Sequence, residues 1–256
     1  MAAIRSSLTV LLAATALAGC REAAPPPKAP ATVESACQAR RFEGSAFTIC
    51  RYDRRRHVAE LFLDGRQGRL RGLAALETDL GPRSQRLRFA MNAGMYDDRG
   101  GPIGLYVAEG VERHAINRRA GPGNFHMLPN GYLEIAAHGR VAIRTAAAYN
   151  PNARPRWATQ SGPMLVVNGA LHPAIQPNGQ SLHVRNGVGV DSDSTAWFAI
   201  SEEPVSFGRF ARLFRDELGC ANALFFDGTV SSLWDRPAGR QDGGYEVGPM
   251  VAVFDK

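Results

Sequence analysis

The stretch SFGRFARLFRDELGCANALFFDG, residues 206–228, predicts one helix followed by one buried strand. Its first half places apolar side chains at helical spacing, which indicates a helix over Ser206–Leu218 that buries one face in the core. Ser206 is a suitable N-cap and Gly219 a suitable C-terminal stop. The apolar face of this helix consists of Phe207, Phe210, Ala211, Phe214 and Leu218.

The second half of this stretch ends on a candidate catalytic carboxylate. Ala223–Phe226 is apolar at every position, as in a strand that is buried on both faces. Asp227 and Gly228 follow at once. A carboxylate that follows a buried strand on a glycine turn is rigidly held and exposed at one end, a position that active sites favour.

The rest of the chain predicts a strand-rich domain. Most apolar segments are short and bounded by Gly, Asn or Asp, which indicates strands, and Leu73–Leu80 before Gly81-Pro82 reads as a second helix. We therefore predict a single α+β domain over residues 37–256, with a mixed, mostly antiparallel sheet core and a few packed helices. The predicted strands are Val58–Leu63, Leu87–Met91, Ile103–Val107, Met164–Val167, Thr195–Ile200, and Tyr132–Ile135 with Val141–Ile143 around a His138-Gly139 hairpin turn.

The N-terminal residues predict export and a lipid anchor. Arg5 precedes a run of small and apolar residues, Leu8 to Leu17, that is shorter than the ~20 residues of a membrane-spanning helix and is typical of a signal peptide. Leu17-Ala18-Gly19-Cys20 resembles a bacterial lipobox, which implies cleavage after residue 19 and lipid on the Cys20 thiol. The alternative is an ordinary signal peptide cut near Ala18. Residues 20–36, rich in Pro and Ala, then form an extended tether that holds the domain in the cell envelope, facing the periplasm or the exterior.

The remaining cysteines fit an oxidising compartment. Cys37 and Cys50 flank a short segment and are predicted to form a disulfide, whereas Cys220 opens an apolar run and is predicted to be a buried, inert thiol. No Cys/His spacing resembles a zinc site. The sequence identifies no cofactor and leaves a divalent metal open.

The charge of the chain points away from nucleic acid. The formal net charge is +6, which is modest for 256 residues. The Arg54-Arg55-Arg56 run lacks interleaved aromatics or a basic stripe, so we interpret it as a solvated turn and expect no nucleic-acid partner. The positive charge suits an anionic glycan or a membrane surface. The sequence makes no prediction of the oligomeric state.

Several breaks between apolar runs join glycine to a polar side chain. Such loops allow a phosphate or a sugar to approach the main chain closely. They are Asn92–Tyr96, Gly121–Phe125, Gln160–Pro163, Arg185–Gly189, and Asp227-Gly228 with Ser231-Ser232.

The order of these motifs resembles the bacterial branch of the phosphodiester glycosidase family, from Cys37 to the C-terminus. One motif departs from the animal branch, which usually carries Asp-Gly-Gly-Gly-Ser where this chain has Asp227-Gly228-Thr229-Val230-Ser231. The resemblance implies a hydrolase or transferase that acts on a sugar-phosphate diester of an envelope glycan. The matching stretches are Met91–Tyr96, Gly104–Tyr106, Gly121–Phe125, Thr159–Leu165, Arg185–Val190, Ala199–Phe207, Phe210–Gly219 and Asn222–Ser232.

The resemblance also suggests roles for individual residues. Arg185 is the candidate phosphate ligand, because a guanidinium can bind two oxygens at once, with Gly187 and Gly189 expected to let the backbone come close. Asp227 is the candidate acid/base or sugar-orienting group. The structural alternatives are an arginine paired to a carboxylate and a turn-capping aspartate. The predicted substrate-binding residues are Asn92, Gly94, Tyr96, Asn124, Ser161, Gly162, Asn186, Gly228 and Ser231, of which Asn92 alternatively satisfies its own turn.

Two questions stay open at the level of sequence. Glycosidases usually place two carboxylates across the scissile bond, and only Asp227 is well placed here, so either a second acid is hidden or the attack is at phosphorus. A non-catalytic carbohydrate-binding lipoprotein and a scaffold for envelope polysaccharide assembly are the alternative functions. For the enzyme, we expect Asn92, Arg185, Asp227 and Ser231 to line one concave pocket at one end of the sheet.

Overall fold

Antiparallel strands dominate the fold. The computed structural model describes residues 34–191, 195–227 and 230–256. Within these residues the strands are β1 (Cys37–Phe42), β2 (Ser45–Tyr52), β3 (His57–Phe62), β4 (Asp64–Gly65), β5 (Gly68–Arg69), β6 (Leu87–Asn92), β7 (Tyr106–Ala108), β8 (Val111–His114), β9 (Gly131–Ile135), β10 (Val141–Thr145), β11 (Trp157–Ser161), β12 (Met164–Val167), β13 (Ala170–Leu171), β14 (Asn186–Val190), β15 (Ala196–Ser201), β16 (Asn222–Asp227), β17 (Leu233–Asp235), β18 (Arg240–Gln241) and β19 (Met250–Asp255).

These strands form three larger sheets and one small ribbon. The seven-stranded sheet has the order β1-β2-β15-β14-β16-β12-β13, and the two five-stranded sheets have the orders β10-β9-β11-β7-β8 and β18-β17-β6-β19-β3. Strands β4 and β5 pair with each other. Every strand pair in the described ranges is antiparallel, which confirms the predicted α+β class with a mostly antiparallel core.

The main core lies between the three sheets. Phe198 and Phe226 of the seven-stranded sheet, Leu133 of one five-stranded sheet, and Phe89 and Val253 of the other belong to one buried cluster. Because the sheets cover one another in this way, their strands read as apolar runs instead of strict alternation.

The second face of the seven-stranded sheet is covered by a helix, as the sequence predicts. Helix α2 (Phe207–Arg212) continues as a π-helical turn over Leu213–Glu217. The Ser206 side chain accepts a hydrogen bond from the Arg209 amide, and Gly219 follows with a φ of 63°, so both predicted ends are confirmed.

The other predicted elements match with one exception. Helix α1 covers Leu73–Leu80, as predicted, and short 3-10 segments lie at Gly81–Arg86, Asn124–His126, Ala146–Ala148 and Pro151–Ala153. The predicted strand at Ile103–Val107 is wrong for its first half, since β7 begins only at Tyr106. The reason is that the Leu105 amide donates to the side chain of Gln160 on β11, 2.9 Å away, instead of to a main-chain carbonyl of that strand.

The cysteines are arranged as predicted. Cys37 and Cys50 are opposite each other on β1 and β2 and form a disulfide. Cys220 is a free, buried thiol whose pKa is raised by burial. Cys20, the predicted signal peptide and nearly all of the tether lie outside the described residues.

None of the helices in the described ranges is long and apolar enough to cross a membrane.

Candidate functional site

Arg185 and Asp227 lie at the same end of two neighbouring strands. Strand β16 ends at Asp227, strand β14 begins at Asn186, and these two residues are opposite each other in the antiparallel register. Arg185 directly precedes Asn186, so both candidate catalytic residues lie at the same end of these two interior strands of the seven-stranded sheet. The register shifts between Asn186 and Gly187, and bulges of this kind are common beside active sites because they redirect side chains.

The Asn186 side chain connects this end of the seven-stranded sheet to β6. Its Nδ2 donates to Asn92 Oδ1 over 2.7 Å and to the Asn92 carbonyl over 2.9 Å. Its Oδ1 accepts from the Asp227 amide over 3.2 Å and lies 3.4 Å from the Ser231 hydroxyl oxygen. That hydroxyl is also 3.1 Å from the carbonyl oxygens of Val184 and Asp227. Asn186 therefore fixes the Asp227 amide and contacts the side chain of Ser231, four residues further along.

Asn92 holds the segment that follows Asp227. Its Nδ2 donates to the Val230 carbonyl over 2.7 Å, and its Oδ1 accepts from the Ser232 amide over 2.9 Å. The Asn92 side chain is fully buried. The alternative was that the Asn92 side chain bonds within its own turn. It bonds instead to a segment 138 to 140 residues further along the chain.

Arg185 is the largest fully buried side chain among the described residues. Its Nε donates to the Val205 carbonyl and one Nη2 proton to the Ser181 carbonyl, both over 2.8 Å. The guanidinium carbon lies 3.6 Å from the centre of the Phe207 ring, a cation–π contact. These contacts orient the guanidinium from one side.

A second ring, Phe225, has its centre 5.5 Å from the guanidinium carbon, and one nitrogen of the guanidinium has no hydrogen-bond partner in the described ranges. Its Nη1 is buried without a hydrogen-bond acceptor, and no described carboxylate pairs with it, so the alternative of an ion-paired structural arginine is not what the structure has. Burial lowers the Arg185 pKa to about 10, which still leaves the group protonated at neutral pH. A buried cation without a counter-charge is costly, and an anionic ligand would offset that cost.

Tyr96 lies within electrostatic range of Asp227. Burial, and secondly the charge of Asp227, raise the Tyr96 pKa, so the phenol stays protonated at neutral pH. The hydroxyl donates to the Glu246 carbonyl over 2.6 Å, and the Glu246 side chain pairs with Arg71. Asp227 itself is 7 % exposed. The Asn92–Tyr96 loop begins at this end of the sheet, where Asn92 bonds Asn186 and Ser232.

The two predicted glycines Gly94 and Gly162 are required by close packing. A Cβ on Gly94 would lie 2.5 Å from the Thr159 hydroxyl oxygen. A Cβ on Gly162 would lie 2.8 Å from the Phe125 carbonyl and 3.4 Å from that of Asn124. The absence of a side chain at these two positions lets the predicted loops pack closely against strand β11 and the Asn124 segment.

Ser161 is bound to the strand that carries Asp227. It is fully buried, and its hydroxyl donates to the Phe226 carbonyl over 2.6 Å. The structure thus links Asn92, Ser161, Asn186 and Ser231 to the end of β16 and its following segment, and it links Asn124 to Gly162. The hydroxyl of Tyr96 is bonded to the Glu246 carbonyl instead. Gly228 lies outside the described residues.

Gly187 and Gly189 have a different role from the one predicted. A Cβ on Gly187 would lie 2.6 Å from the Leu224 carbonyl of β16 and 3.3 Å from Phe210, and a Cβ on Gly189 would lie 2.5 Å from Phe214 and from the Cys220 sulfur. These glycines let the helix pack onto the sheet, and the expectation that they bring the backbone close to a phosphate is wrong for that reason.

Sequence reasoning missed the residues that support Arg185 and Ser161. Phe207 and Ser181 hold the guanidinium, and Gln160 connects β11 to the loop at Asn117 through hydrogen bonds from both ends of its amide. Gln160 directly precedes the Ser161-Gly162 motif, so its position was a usable signal. Ser181 gave no such signal, because it accepts the Arg185 hydrogen bond mainly through its main-chain carbonyl.

In the ranges that the structure describes, no three His, Cys, Asp or Glu side chains converge in a way that would hold a metal ion.

Comparison with known proteins agrees with this architecture. The family model for phosphodiester glycosidases matches residues 85–254. The chain is 36% identical over 162 residues to the uncharacterized protein YigE of Escherichia coli K12, a match that spans 63% of each protein. The catalytic domain of zebrafish N-acetylglucosamine-1-phosphodiester alpha-N-acetylglucosaminidase, auto-inhibited by its pro-peptide, superimposes with a TM-score of 0.59 at 12% identity, over 86% of this chain and 81% of that one.

A second solved structure shares the fold. A hypothetical protein from Synechocystis superimposes with a TM-score of 0.55 at 14% identity, over 86% of this chain and 61% of its own. The chain therefore spans somewhat less than two thirds of the Escherichia coli and Synechocystis proteins. Because the family model covers well over half of its residues, this chain belongs to the phosphodiester glycosidase family.

Proposed function

We propose that this domain is an enzyme that cleaves a sugar-phosphate diester, with Arg185 as the phosphate ligand and Asp227 as the acid/base or sugar-orienting group. The observation that carries the proposal is the buried Arg185 guanidinium, whose Nη1 has no acceptor in the described ranges. Arg185 directly precedes Asn186, the residue of β14 that is opposite Asp227. A buried donor of this kind calls for a partner, and a phosphate oxygen is the partner that a guanidinium binds best.

The supporting residues suggest how the site is preorganised. Val205, Ser181 and Phe207 hold Arg185 from behind, so binding an anion costs little further ordering. Asn186 and Asn92 fix the main chain on both sides of Asp227. We assign these two asparagines to positioning the catalytic groups, since their side chains bond to other protein groups.

The chemistry follows from where charge develops. Charge that builds on the phosphate oxygens in the transition state is stabilised by the fixed Arg185 cation, in a site from which water is largely excluded. Asp227 would transfer a proton to or from the reacting oxygen, or orient the sugar hydroxyls. Attack at the sugar carbon and attack at phosphorus both use these two roles, and the position of isotope from labelled water in the products separates them.

The test is a hydrolysis screen of the purified mature protein on sugar-1-phosphodiesters, with and without a chelator. For the active substrate, Arg185→Ala should lower kcat roughly a hundredfold, about 2–4 kcal/mol in the barrier, and weaken binding less. Arg185→Lys should recover little, because an ammonium lacks the two-pronged geometry. Arg88→Ala, which removes a poorly exposed arginine paired to Asp255, is the matched control and should leave kcat unchanged.

One outcome would replace the enzyme with a binding protein. If the wild type binds sugar phosphates in calorimetry but turns none over, the function is carbohydrate binding by an envelope lipoprotein on the same fold.

We further propose that the domain is anchored in the cell envelope through lipid on Cys20. The support is the Leu17-Ala18-Gly19-Cys20 sequence followed by the Pro-rich tether. Mass spectrometry of the protein from its native membrane should find a diacylglyceryl group on an N-terminal Cys20. An N-terminus elsewhere with an unmodified Cys20 would contradict the anchor.

A further inference from the structure

One end of the domain lies opposite the candidate site along the strands and has no part in the roles assigned so far. Strand β14 begins at Asn186, opposite Asp227, and ends at Val190. Val190 is opposite Ala196 on β15, which is in turn opposite Tyr52 on β2. Tyr52 therefore lies at the end of the seven-stranded sheet that is remote from Asp227, at a distance of roughly 13 Å along the strands.

The two five-stranded sheets have the same two ends. Strand β11 runs from Trp157 to Ser161, and Ser161 is the residue that bonds to β16 beside Asp227. Strand β19 begins opposite Asn92, which belongs to the candidate site, and ends opposite His57. Trp157 and His57 therefore lie at the same remote end as Tyr52.

Two turns meet at this remote end. They are the turn between β2 and β3 and the turn between β9 and β10. The Tyr52 hydroxyl donates to the Gly139 carbonyl over 2.7 Å, and a Cβ on Gly139 would lie 3.7 Å from the Arg54 Cβ. The Lys256 amide donates to the Arg56 carbonyl over 3.0 Å, so the last strand also reaches this place. The two turns thus form one continuous surface.

Four exposed arginines are concentrated on these two turns. Arg54, Arg55 and Arg56 belong to the turn between β2 and β3, and Arg140 belongs to the turn between β9 and β10. We refer to these four residues as the basic end. What distinguishes them from the other arginines of the described ranges is their position, three in a row on one turn with a fourth on the turn that contacts it.

Most acids near the basic end are paired with other cations. The ion pairs at this end are Asp53–Arg51, Asp255–Arg88 and Glu109–Arg156. Asp53 also accepts a hydrogen bond from the Arg55 amide over 2.9 Å, so it shapes the turn. Asp191, in the turn after β14, accepts from the Thr195 amide. The four arginines of the basic end therefore add positive charge that these acids do not cancel.

The predicted tether joins the domain beside the basic end. The Glu34 carbonyl accepts from Arg88, and Glu34 and Arg56 line the same cavity of about 260 Å³. Only 13 residues separate Cys20 from Glu34 in the sequence. A chain of that length spans at most about 50 Å. A lipid on Cys20 would therefore keep the basic end within reach of the membrane.

We infer that the basic end binds the anionic lipid headgroups of the bilayer that carries the anchor, so that the end with Asp227 faces away from the membrane. The argument from reach rests on the proposed Cys20 anchor, whereas the charge and the position of the turns do not. Each arginine near an anionic bilayer strengthens binding roughly fivefold, and a basic surface acts as a second membrane signal beside a lipid. In this orientation the site opens toward glycans outside the bilayer, and headgroups of the same membrane lie at the wrong end of the domain.

The test uses the mature chain, residues 20–256, with Cys20→Ser so that no lipid is attached. Sedimentation measures binding to vesicles of phosphatidylcholine alone and to vesicles of an equal mixture of phosphatidylcholine and phosphatidylglycerol. This protein should bind the anionic vesicles at least about tenfold more strongly, and high salt should remove the difference because exposed charges are screened.

Variants of this chain locate the effect. Arg54→Gln, Arg55→Gln and Arg56→Gln together should abolish the preference for anionic vesicles. The turn should stay folded, because its hydrogen bonds to Asp53 come from main-chain amides, and an unchanged melting temperature would show this. The matched control removes three exposed arginines elsewhere and should keep the preference, since it lowers the net charge equally; it combines Arg99→Gln, Arg113→Gln and Arg119→Gln.

Three results would overturn the inference. They are no preference for anionic vesicles in the parent chain, an undiminished preference in the triple variant of the turn, and an equal loss in the matched control. Binding to heparin without binding to anionic vesicles would assign the basic end to soluble glycans and would also overturn it. Failure of the anchor or of the proposed enzyme gives a different result, namely an unmodified Cys20 or no hydrolysis, with the vesicle preference intact.

Discussion

Arg185 and Asp227, two charged residues of opposite sign, are held in different ways at the same end of strands β14 and β16. Arg185 is held through its own guanidinium, by two main-chain carbonyls and an aromatic ring. Asp227 is held through its backbone, whose amide donates to Asn186 and whose carbonyl lies 3.1 Å from the Ser231 hydroxyl.

Asp227→Asn tests the catalytic role directly. The substitution is nearly isosteric but removes the charge and the proton-transfer group, so we expect the far-ultraviolet circular dichroism spectrum to be retained and the turnover to fall at least a hundredfold. Asp235→Asn changes another buried carboxylate, at the end of β17, and should affect stability without affecting kcat. Full activity in Asp227→Asn would leave Asp227 as a turn residue and contradict the mechanism.

The same substitution has an effect on Tyr96. Because the negative charge of Asp227 contributes to raising the Tyr96 pKa, removing that charge should lower this pKa toward its ordinary value. Alkaline ultraviolet titration of the variant against wild type would detect the change. An unchanged tyrosine titration would mean that the two groups do not interact.

At the scale of elements, the contact between β14 and the helix decides the geometry of the site. Gly187 and Gly189 remove side chains from one face of β14, and Phe210 and Phe214 fill that space. The helix then begins at Phe207, the residue whose ring lies against Arg185. The helix thus connects the packing of β14 to Arg185, the residue that we propose as the phosphate ligand.

Gly189→Ala tests this packing. The new methyl group would meet Phe214 and the Cys220 sulfur at 2.5 Å, so we expect a loss of roughly 1–3 kcal/mol in the free energy of unfolding, measured by urea denaturation. Gly243→Ala is the matched control, since open space surrounds that position, and it should change stability by less than about 0.5 kcal/mol. Equal stabilities of the two variants would show that the helix adjusts freely.

At the scale of the whole molecule, three sheets share one core and the disulfide closes its edge. Cys37 lies on β1, an edge strand of the seven-stranded sheet, and Cys50 lies on β2, where it is part of the central cluster. The bond therefore fastens an edge strand to the core.

Removal of this bond should lower stability without abolishing the fold. On the chain-entropy model, a loop with a sequence separation of 13 is worth about 3 kcal/mol, so Cys37→Ala with Cys50→Ala should lose that amount in urea denaturation. Dithiothreitol should destabilise wild type and leave the double variant unchanged. In both proteins iodoacetamide should modify Cys220 only after unfolding, because burial protects the thiol and raises its pKa. Labelling of the native protein would contradict this assignment.

Local patterns determined the elements of this fold because their signals lie within a few residues. Ser206 and Gly219 mark the helix ends, the apolar run to Phe226 marks the buried strand, and the short spacing of Cys37 and Cys50 marks the disulfide. The same local signals identified which loops carry polar residues beside glycine.

Tertiary structure alone decided what those residues contact. The sequence predicts that Gly187 and Gly189 leave the backbone accessible to a ligand. In the structure, aromatic rings of a helix some twenty residues further along the chain pack against them. The late start of β7 and the contacts of Asn92 depend likewise on partners 55 and 138 to 140 residues away. The physical reason is that a side chain's local pattern states its polarity and its secondary structure, whereas its hydrogen-bond partners are set by the register and stacking of sheets, which form only when distant segments meet.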